Sequence, residues 1–536
     1  MTAGKSGAKT AWTVDLPSGL DAGALRKICD PKDLGFETTD DLEALEGLVG
    51  QERAVDALRL SVQMSPHDFN VFVLGREGYG RHRIVEQILA EERTSRPAPF
   101  DWAYVNDFET PHKPKALKLP PGTGQGVRRA MQDLIDDLGN DIPAIFESDE
   151  YQAQRRALEE EFGGQHEASM AEFAEKARQE KVALIRTPMG FILAAIIDGQ
   201  VVKNEAFEKL DAETRKGIEE KIGRLQEDLA VVLRNAPKLE KMHRQRLEQL
   251  HSSMAERVVS ERLQDLMDGL PSTPELDVHL KAVHRDLIEN AELFLAAASN
   301  EENGAFPRVI KKCHLDPEFE RYAVNLMISH GAENGSGAPV VTEDLPTFGQ
   351  LVGRIEHVSR MGALVTNFTL IKPGALHRAN GGYLILDAHR VLTEPFAWDA
   401  LKRCLKNRAI TITSMGDRLG LVSTVSLEPD PIPLDVRVIL VGDRLLHALL
   451  TMLDPDFREL FKIQADFEDD MLRSEGSIAN LARLIAGFVK SKKLRPMTAD
   501  GVSRLIDEAV RWADDIRKVS LHLGALDDLI CEADHY

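Results

Sequence analysis

The chain has 536 residues, 43% hydrophobic and 29% charged, a composition that supports several buried cores and argues against a disordered or membrane-embedded chain. Asp and Glu number 87 against 66 Lys and Arg, a net charge of −21, and aromatics make up only 6%. Coating nucleic acid needs clustered cations and stacking surfaces, so that class, including a DNA-bound motor, is disfavoured.

The first residues, 1–20, read as a flexible tail, and residues 1–19 lack the apolar core of a signal peptide. Between 21 and 125 helix and strand patterns alternate. Ala54, Val55, Leu58 and Val62 share one helical face. Asn70–Leu74 (NVFVL) is a short apolar run ending at a glycine, the pattern of a buried parallel strand, and Asp101–Asn106 reads as a second such strand. Pro120–Gly126 is a breaker cluster. Residues 126–305 are rich in Glu, Arg, Leu and Ala, as in long exposed helices. They read either as a helical spacer or coiled coil, or as an arm that grips substrate. Leu184–Val202, with Pro188, Gly190 and Gly199, breaks this pattern as a small hairpin. Its longest apolar run, Phe191 to Ile197, is far shorter than the ~20 residues of a membrane span. Loops follow over 301–350, including Asn334–Gly337. The α/β pattern returns in 306–470, where Tyr383–Leu386 ends at Asp387 and Val436–Val441 ends at Gly442 and Asp443. Open parallel sheets bind ligands at such carboxyl ends. Ala409–Leu427 reads as a hairpin. Residues 471–536 form a helical lid, with Leu481, Leu484, Ile485 and Phe488 on one face and Val502, Leu505, Ile506 and Ala509 on another. Four dispersed cysteines (Cys29, Cys313, Cys404, Cys531) show no CxxC spacing, so neither a zinc site nor a disulfide framework is expected. The expectation is a soluble, cytoplasmic protein.

Gly75-Arg-Glu-Gly78-Tyr-Gly80-Arg81-His82 follows the Asn70–Leu74 strand and precedes a helical pattern. Gly75 and Gly80 have the spacing of the phosphate loop GxxxxGK[ST], in which glycines let backbone N–H groups close round an anion at a helix N-terminus. Two positions depart. Arg81 stands in place of lysine, and its planar fork fits a tight loop poorly. His82 replaces the hydroxyl that binds magnesium, and Mg²⁺ prefers oxygen. The second motif is Gly381-Gly382-Tyr-Leu-Ile-Leu-Asp387-Ala388. Four apolar residues and an aspartate form the Walker B pattern, with Asp387 placed to hold Mg²⁺ through water. Ala388 occupies the position of the general base, whose loss typically costs ~10²–10⁴ in rate.

Taken with these motifs, Leu45–Ala57 (LEGLVGQERAVDA), Gly353–Asp387 (with PGALHRANGGYLILD), Pro429–Asp443 and Asp454–Asp470 resemble the AAA+ region of Lon-related ATP-dependent proteases, the branch akin to archaeal B-type Lon. The resemblance covers roughly residues 21–536. It implies an α/β plus all-α fold: an AAA+ P-loop parallel sheet with a long helical insertion and a C-terminal helical lid, assembled as a homo-oligomeric ring, hexameric in its expected form. It implies ATP and Mg²⁺ as cofactors, unfolded proteins as substrates, and a Lon-type Ser–Lys protease domain supplied in cis or in trans. No nucleic-acid or membrane partner is expected. No PKDGPSAG-like nucleophile segment occurs, so peptidase chemistry is not placed in these residues.

By the same resemblance, Gly75, Gly78, Gly80, Arg81 and His82 surround phosphate, Gly50 and Gln51 touch the base, Asp387 binds the metal and acts in catalysis, and Asp443 holds the sensor 1 position. Arg458, with Lys462 nearby, lies where an arginine finger is expected, although the second expected arginine falls near Leu460. His522 falls near the lid arginine called sensor 2. Ser359–Gly362, with Met361, lies where a pore loop projects. Two functions follow: an ATP-binding module that couples nucleotide to unfolding or gating of substrates for proteolysis, and a hydrolysis-deficient pseudo-ATPase ring that scaffolds or gates a protease chamber. Whether the chain is an enzyme is left open between them.

Overall fold

The computed structural model describes residues 19, 27–45, 49–64, 69–93, 96–187, 190–197, 200–201, 212–302, 312–331, 337–360, 362–413 and 427–536. The chain forms two compact units, Met1–Asp101 with Met327–Tyr536, and Trp102–Leu326.

The first unit is built on five strands, in the order Ile463–Asp466, Val71–Leu74, Arg437–Gly442, Tyr383–Asp387, Val340–Glu343. Every pairing is parallel, and the register sets Leu74 opposite Gly442 and Asp387 opposite Val441. Numbered along the chain the order is 5-1-4-3-2, an AAA+ α/β sheet. The strands read as unbroken apolar runs because both faces are covered. Phe72, Leu74, Leu384, Leu386, Val438 and Leu440 enter one core with the helix Ala397–Asn407. The alternate residues Val71, Val73, Ile385, Ile439 and Val441 enter the other, with the helices Glu52–Gln63 and Arg81–Glu92.

Beyond the sheet, the chain passes into a lid of three helices, Glu475–Ser491, Ala499–Trp512 and Leu523–His535. Ser474 and Thr498 cap the first two through their side chains. Leu481, Leu484, Ile485, Val502, Ile506 and Leu526 form the lid core. Asp470–Leu472 pairs antiparallel with Lys518–Ser520 at its base. The N-terminal segment packs here as well, through Thr39 N–H on the Met497 carbonyl (2.9 Å) and Leu45 N–H on the Arg483 carbonyl (3.2 Å).

Asp101–Val105 is buried as expected for its apolar run, yet it lies in a separate three-stranded sheet with Lys115–Leu119 and Asn325–Ile328. An apolar run specifies burial and does not specify the partner strand. In the second unit, Gly124–Glu147, the C-terminal part of Ala212–Gly269 and Pro274–Glu289 share one core. The 58-residue helix Ala212–Gly269, about 87 Å long at 1.5 Å per residue, runs beside Asp149–Gln179. A hairpin of Val182–Thr187 and Gly190–Ile197 packs on Phe173, Ala177, Leu225 and Leu229. Of the Ala409–Leu427 hairpin, residues 414–426 lie outside the described residues, while Ala409–Ile410 pairs with Ile432–Pro433.

Candidate nucleotide site

The loop after Val71–Leu74 is held by glycines in the left-handed region, with φ of 153° at Gly75, 84° at Gly78 and 72° at Gly80. Gly75 leaves little room for a side chain: a Cβ there would sit 3.0 Å from the Phe467 Cβ and 3.1 Å from the Arg81 Cδ. Gly80 caps the helix Arg81–Glu92 without a side-chain acceptor. The backbone N–H groups of Gly78 through His82 find no acceptor among the described residues. Unpaired donors closing on a helix N-terminus form a cradle for an anion.

Parallel pairing brings the loop, Asp387 and Asp443 to the same end of adjacent strands. Arg81 joins them. Its side chain turns under the loop, is only 8% exposed, and donates through Nη1 to the Gly442 carbonyl. Burial pulls its pKa down from the usual guanidinium value, against the carboxylates of Glu77, Asp387 and Asp443, which raise it. Guanidinium remains charged in proteins, so Arg81 is an internal cation in the space between loop and aspartates. Asp387 Oδ1 accepts from Arg390 N–H (2.9 Å) and Asp443 Oδ1 from Leu446 N–H (2.6 Å), so each aspartate also caps a helix. Ala388 is 1% exposed and faces the core rather than the loop. Gly442 is glycine for a local reason: a Cβ would meet Phe72 Cζ at 2.7 Å and Ala388 Cβ at 3.1 Å. His82 is exposed.

Gln51 is buried and bonded at both ends of its amide, Nε2 to the Glu468 carbonyl (3.0 Å) and Oε1 from Glu468 N–H (2.9 Å). A Cβ on Gly50 would lie 3.1 Å from both Leu521 and Met471. These two residues therefore pin the segment between sheet and lid. Arg444 secures the same segment, reaching Asp466 (3.0 Å), Asp469 (2.8 Å) and the Phe467 carbonyl (2.5 Å).

Sequence reasoning missed how the lid meets the loop. Gly524 N–H donates to the Gly78 carbonyl (2.9 Å), and the His522 and Tyr79 rings meet edge-on with centroids 5.0 Å apart. A Cβ on Gly78 would fall 2.6 Å from His522 Cε1. The glycine directly after Leu523 in HLG was the available signal for close backbone approach. A cavity of about 320 Å³ opens beside this contact. Gly78, Gly80, Arg83, Ile84 and Gln87 line it from the loop and its helix, Leu45 from the N-terminal segment, and Leu484, Gly487, Phe488, Ser491, Leu523, Gly524 and Asp527 from the lid.

Arg458 is exposed on the short helix Phe457–Leu460. Burial first, and the Arg458 charge with it, hold His447 below the usual imidazole range, against Asp466. Lys462 lies over the Phe69 ring at 5.1 Å. In the stretch singled out as a pore loop, Val358–Arg360 pairs antiparallel with Ala363–Val365, leaving Val358, Leu364 and Val365 exposed; Met361 lies outside the described residues.

Three family models match the chain: LonB-like, AAA domain over residues 336–468; Lon-like LonC helical domain over 101–134; and archaeal LonB, AAA+ ATPase LID domain over 496–536. Among curated proteins, a Lon protease homolog of Escherichia coli (strain K12) is 29% identical over 147 residues, 27% of this chain and 24% of that protein. The matched stretch thus spans about a quarter of that relative's length. Among solved structures, NtrX from Brucella abortus is 18% identical over 37% of this chain and 42% of its own, with a TM-score of 0.24, too low for a shared fold to be argued.

Proposed function

We propose that this chain, whose AAA, helical and lid segments are those of Lon-like AAA+ proteins, binds ATP between loop and lid and uses that binding to unfold or gate polypeptides for a Lon-type protease domain in cis or in trans. The observation that carries the reading is the buried Arg81, held on the Gly442 carbonyl beneath an N–H-lined loop and beside Asp387.

The residues fit a polyphosphate. Backbone N–H groups of Gly78 to His82 supply donors, Arg81 and the helix N-terminus supply positive potential, and the neighbouring cavity, with apolar walls and few polar groups, accommodates a base. They do not fit a magnesium ion held by the loop, because position 82 offers an imidazole in place of a hydroxyl oxygen. Asp387, and Asp443 at the end of the next strand, would offer that ion carboxylates. Phosphate would draw Arg81 from its carbonyl acceptor. The Gly78–Gly524 bond and the His522 contact would carry the change to the lid. The exposed Val358–Val365 hairpin offers apolar side chains to an unfolded chain, in a ring where Arg458 reaches a neighbouring subunit.

A second reading, a ring that gates a protease chamber without turning ATP over, is favoured by one observation: Ala388 is buried where the general base would stand. Binding energy alone can shift a gate. Both readings are tested by titrating the protein with a fluorescent ATP analogue and then measuring phosphate release. Saturable binding with release abolished by Asp387→Asn supports the motor. Binding without release supports the gate, and no binding at millimolar nucleotide overturns both.

A further inference from the structure

We propose that the strand Val182–Thr187 of the second unit is a docking edge, which takes up an extended apolar stretch of non-native polypeptide as an added strand. This role does not depend on nucleotide binding. Val182–Thr187, Gly190–Ile197 and Gln200–Val201 lie side by side in that order, so the first is an outer strand of its sheet. The sheet stands well out on the long helix Ala212–Gly269. Leu225 and Leu229 of that helix hold it, while Val259 of the same helix belongs to the main core of the unit. At ~1.5 Å of rise per residue, Leu229 and Val259 lie about 45 Å apart.

Both faces of this sheet are apolar. Val182, Leu184, Phe191 and Leu193 pack towards the helices. Strand alternation sends Ala183, Ile185, Ile192, Ala194 and Ile196 to the opposite face. There Ile185 and Ile192 stand directly across from each other, 36% and 54% exposed. The edge is open as well. Ile196 N–H donates to the Lys181 carbonyl at 2.8 Å. Backbone groups alternate in direction along an antiparallel pair, so those of Ala183 and Ile185 face Gly190–Ile197, and those of Val182, Leu184 and Arg186 face away from it. These outward groups find no partner among the described residues. Sheets usually close such an edge with lysine, proline or a bulge. Val182–Thr187 (VALIRT) has neither lysine nor proline, and its register runs one to one from Val182–Ala195 to Thr187–Gly190. A folded surface could cover the isoleucine face, but it would leave the row of N–H and C=O groups unfilled. An extended chain does both: its backbone continues the ladder, and every second side chain falls beside Ala183 and Ile185.

The test uses the full chain and a fluorescein-labelled peptide of alternating valine and threonine, read by fluorescence anisotropy without nucleotide. Saturable binding is expected. The same peptide N-methylated along its backbone keeps its apolar side chains and loses its donors, and it is expected to bind at least about tenfold more weakly. Ile185→Lys and Ile192→Lys each put a charge on the outer face, and each is expected to weaken the unmethylated peptide about tenfold while melting curves show the protein folded. Absence of binding by the unaltered chain overturns the proposal. Equal binding of the two peptides overturns strand addition, and with it the proposal, without recourse to any variant. Full affinity in both lysine variants overturns it by placing the peptide elsewhere. Pairing of two copies edge to edge, seen in sedimentation as self-association that both lysine variants abolish while the peptide stays unbound, overturns it in favour of a second copy.

Discussion

Arg81 and Ala388 are both buried at the candidate site. Arg81 is the buried cation under the loop among the described residues, and its charge offsets part of that of Asp387 and Asp443. Arg81→Ala leaves the Gly442 carbonyl without its donor and the two carboxylates without their cation. The expected result is a loss of about 1–3 kcal/mol in stability together with weaker nucleotide binding, read from chemical denaturation and probe titration. Ala388 tempts repair to glutamate, the residue a Walker B strand would carry. The position is 1% exposed in the core that also holds Phe72, which is closed to a charged side chain. Ala388→Glu is therefore expected to cost at least about 2 kcal/mol and to leave phosphate release no faster. A gain in release with unchanged melting temperature would show that the side chain can turn into the site.

At the scale of elements, the loop and the lid form one latch. Two contacts meet at Gly78, whose left-handed backbone shapes the loop: its carbonyl takes Gly524 N–H and its open Cα face takes the His522 ring. Gly78→Ala brings a methyl group against His522 in addition to a backbone penalty of about 1 kcal/mol. His522→Ala removes the clash together with the Tyr79 contact and the cap that His522 Nδ1 gives Ala525 N–H. The double variant should thus be more stable than the sum of the single losses, a coupling that thermal melts of the four proteins measure directly. Strict additivity would mean that lid and loop separate freely in solution. The segment between them is held differently, by Gln51 on Glu468 and Arg444 on Asp466 and Asp469.

At the scale of the whole molecule, each unit carries a histidine sealed in its interior. Burial, helped by Arg378, pushes His377 of the first unit down to about 3, and burial pushes His279 of the second down to about 4. Both lie below the ordinary value of about 6.5. Above that value neither the folded nor the unfolded state is protonated, and stability is unaffected. Below it the unfolded chain takes up protons that the folded units refuse, so stability falls by about 1.4 kcal/mol per pH unit for each histidine until its folded value is reached. Melting temperatures measured from about pH 7 to about pH 4 should decline, and His377→Gln should flatten the decline of the first unit only. The same scale separates what was legible in the residues from what was not. The glycine loop after Leu74, the apolar strand ending at Asp387, the helical middle and the lid faces were readable because each is a local pattern: a glycine where φ is positive, an unbroken apolar run where both faces of a sheet are covered, a 3.6-residue period on a packed helix. The sheet order, the separate sheet taken by Asp101–Val105, the turn of Arg81 onto Gly442, the inward face of Ala388 and the seat of His522 on Gly78 were not readable. Most of these join segments far apart in the chain, as the bond from Arg81 to the Gly442 carbonyl does across 361 positions. Periodicity fixes what a segment buries, and only the competition among all segments for one interior decides against what.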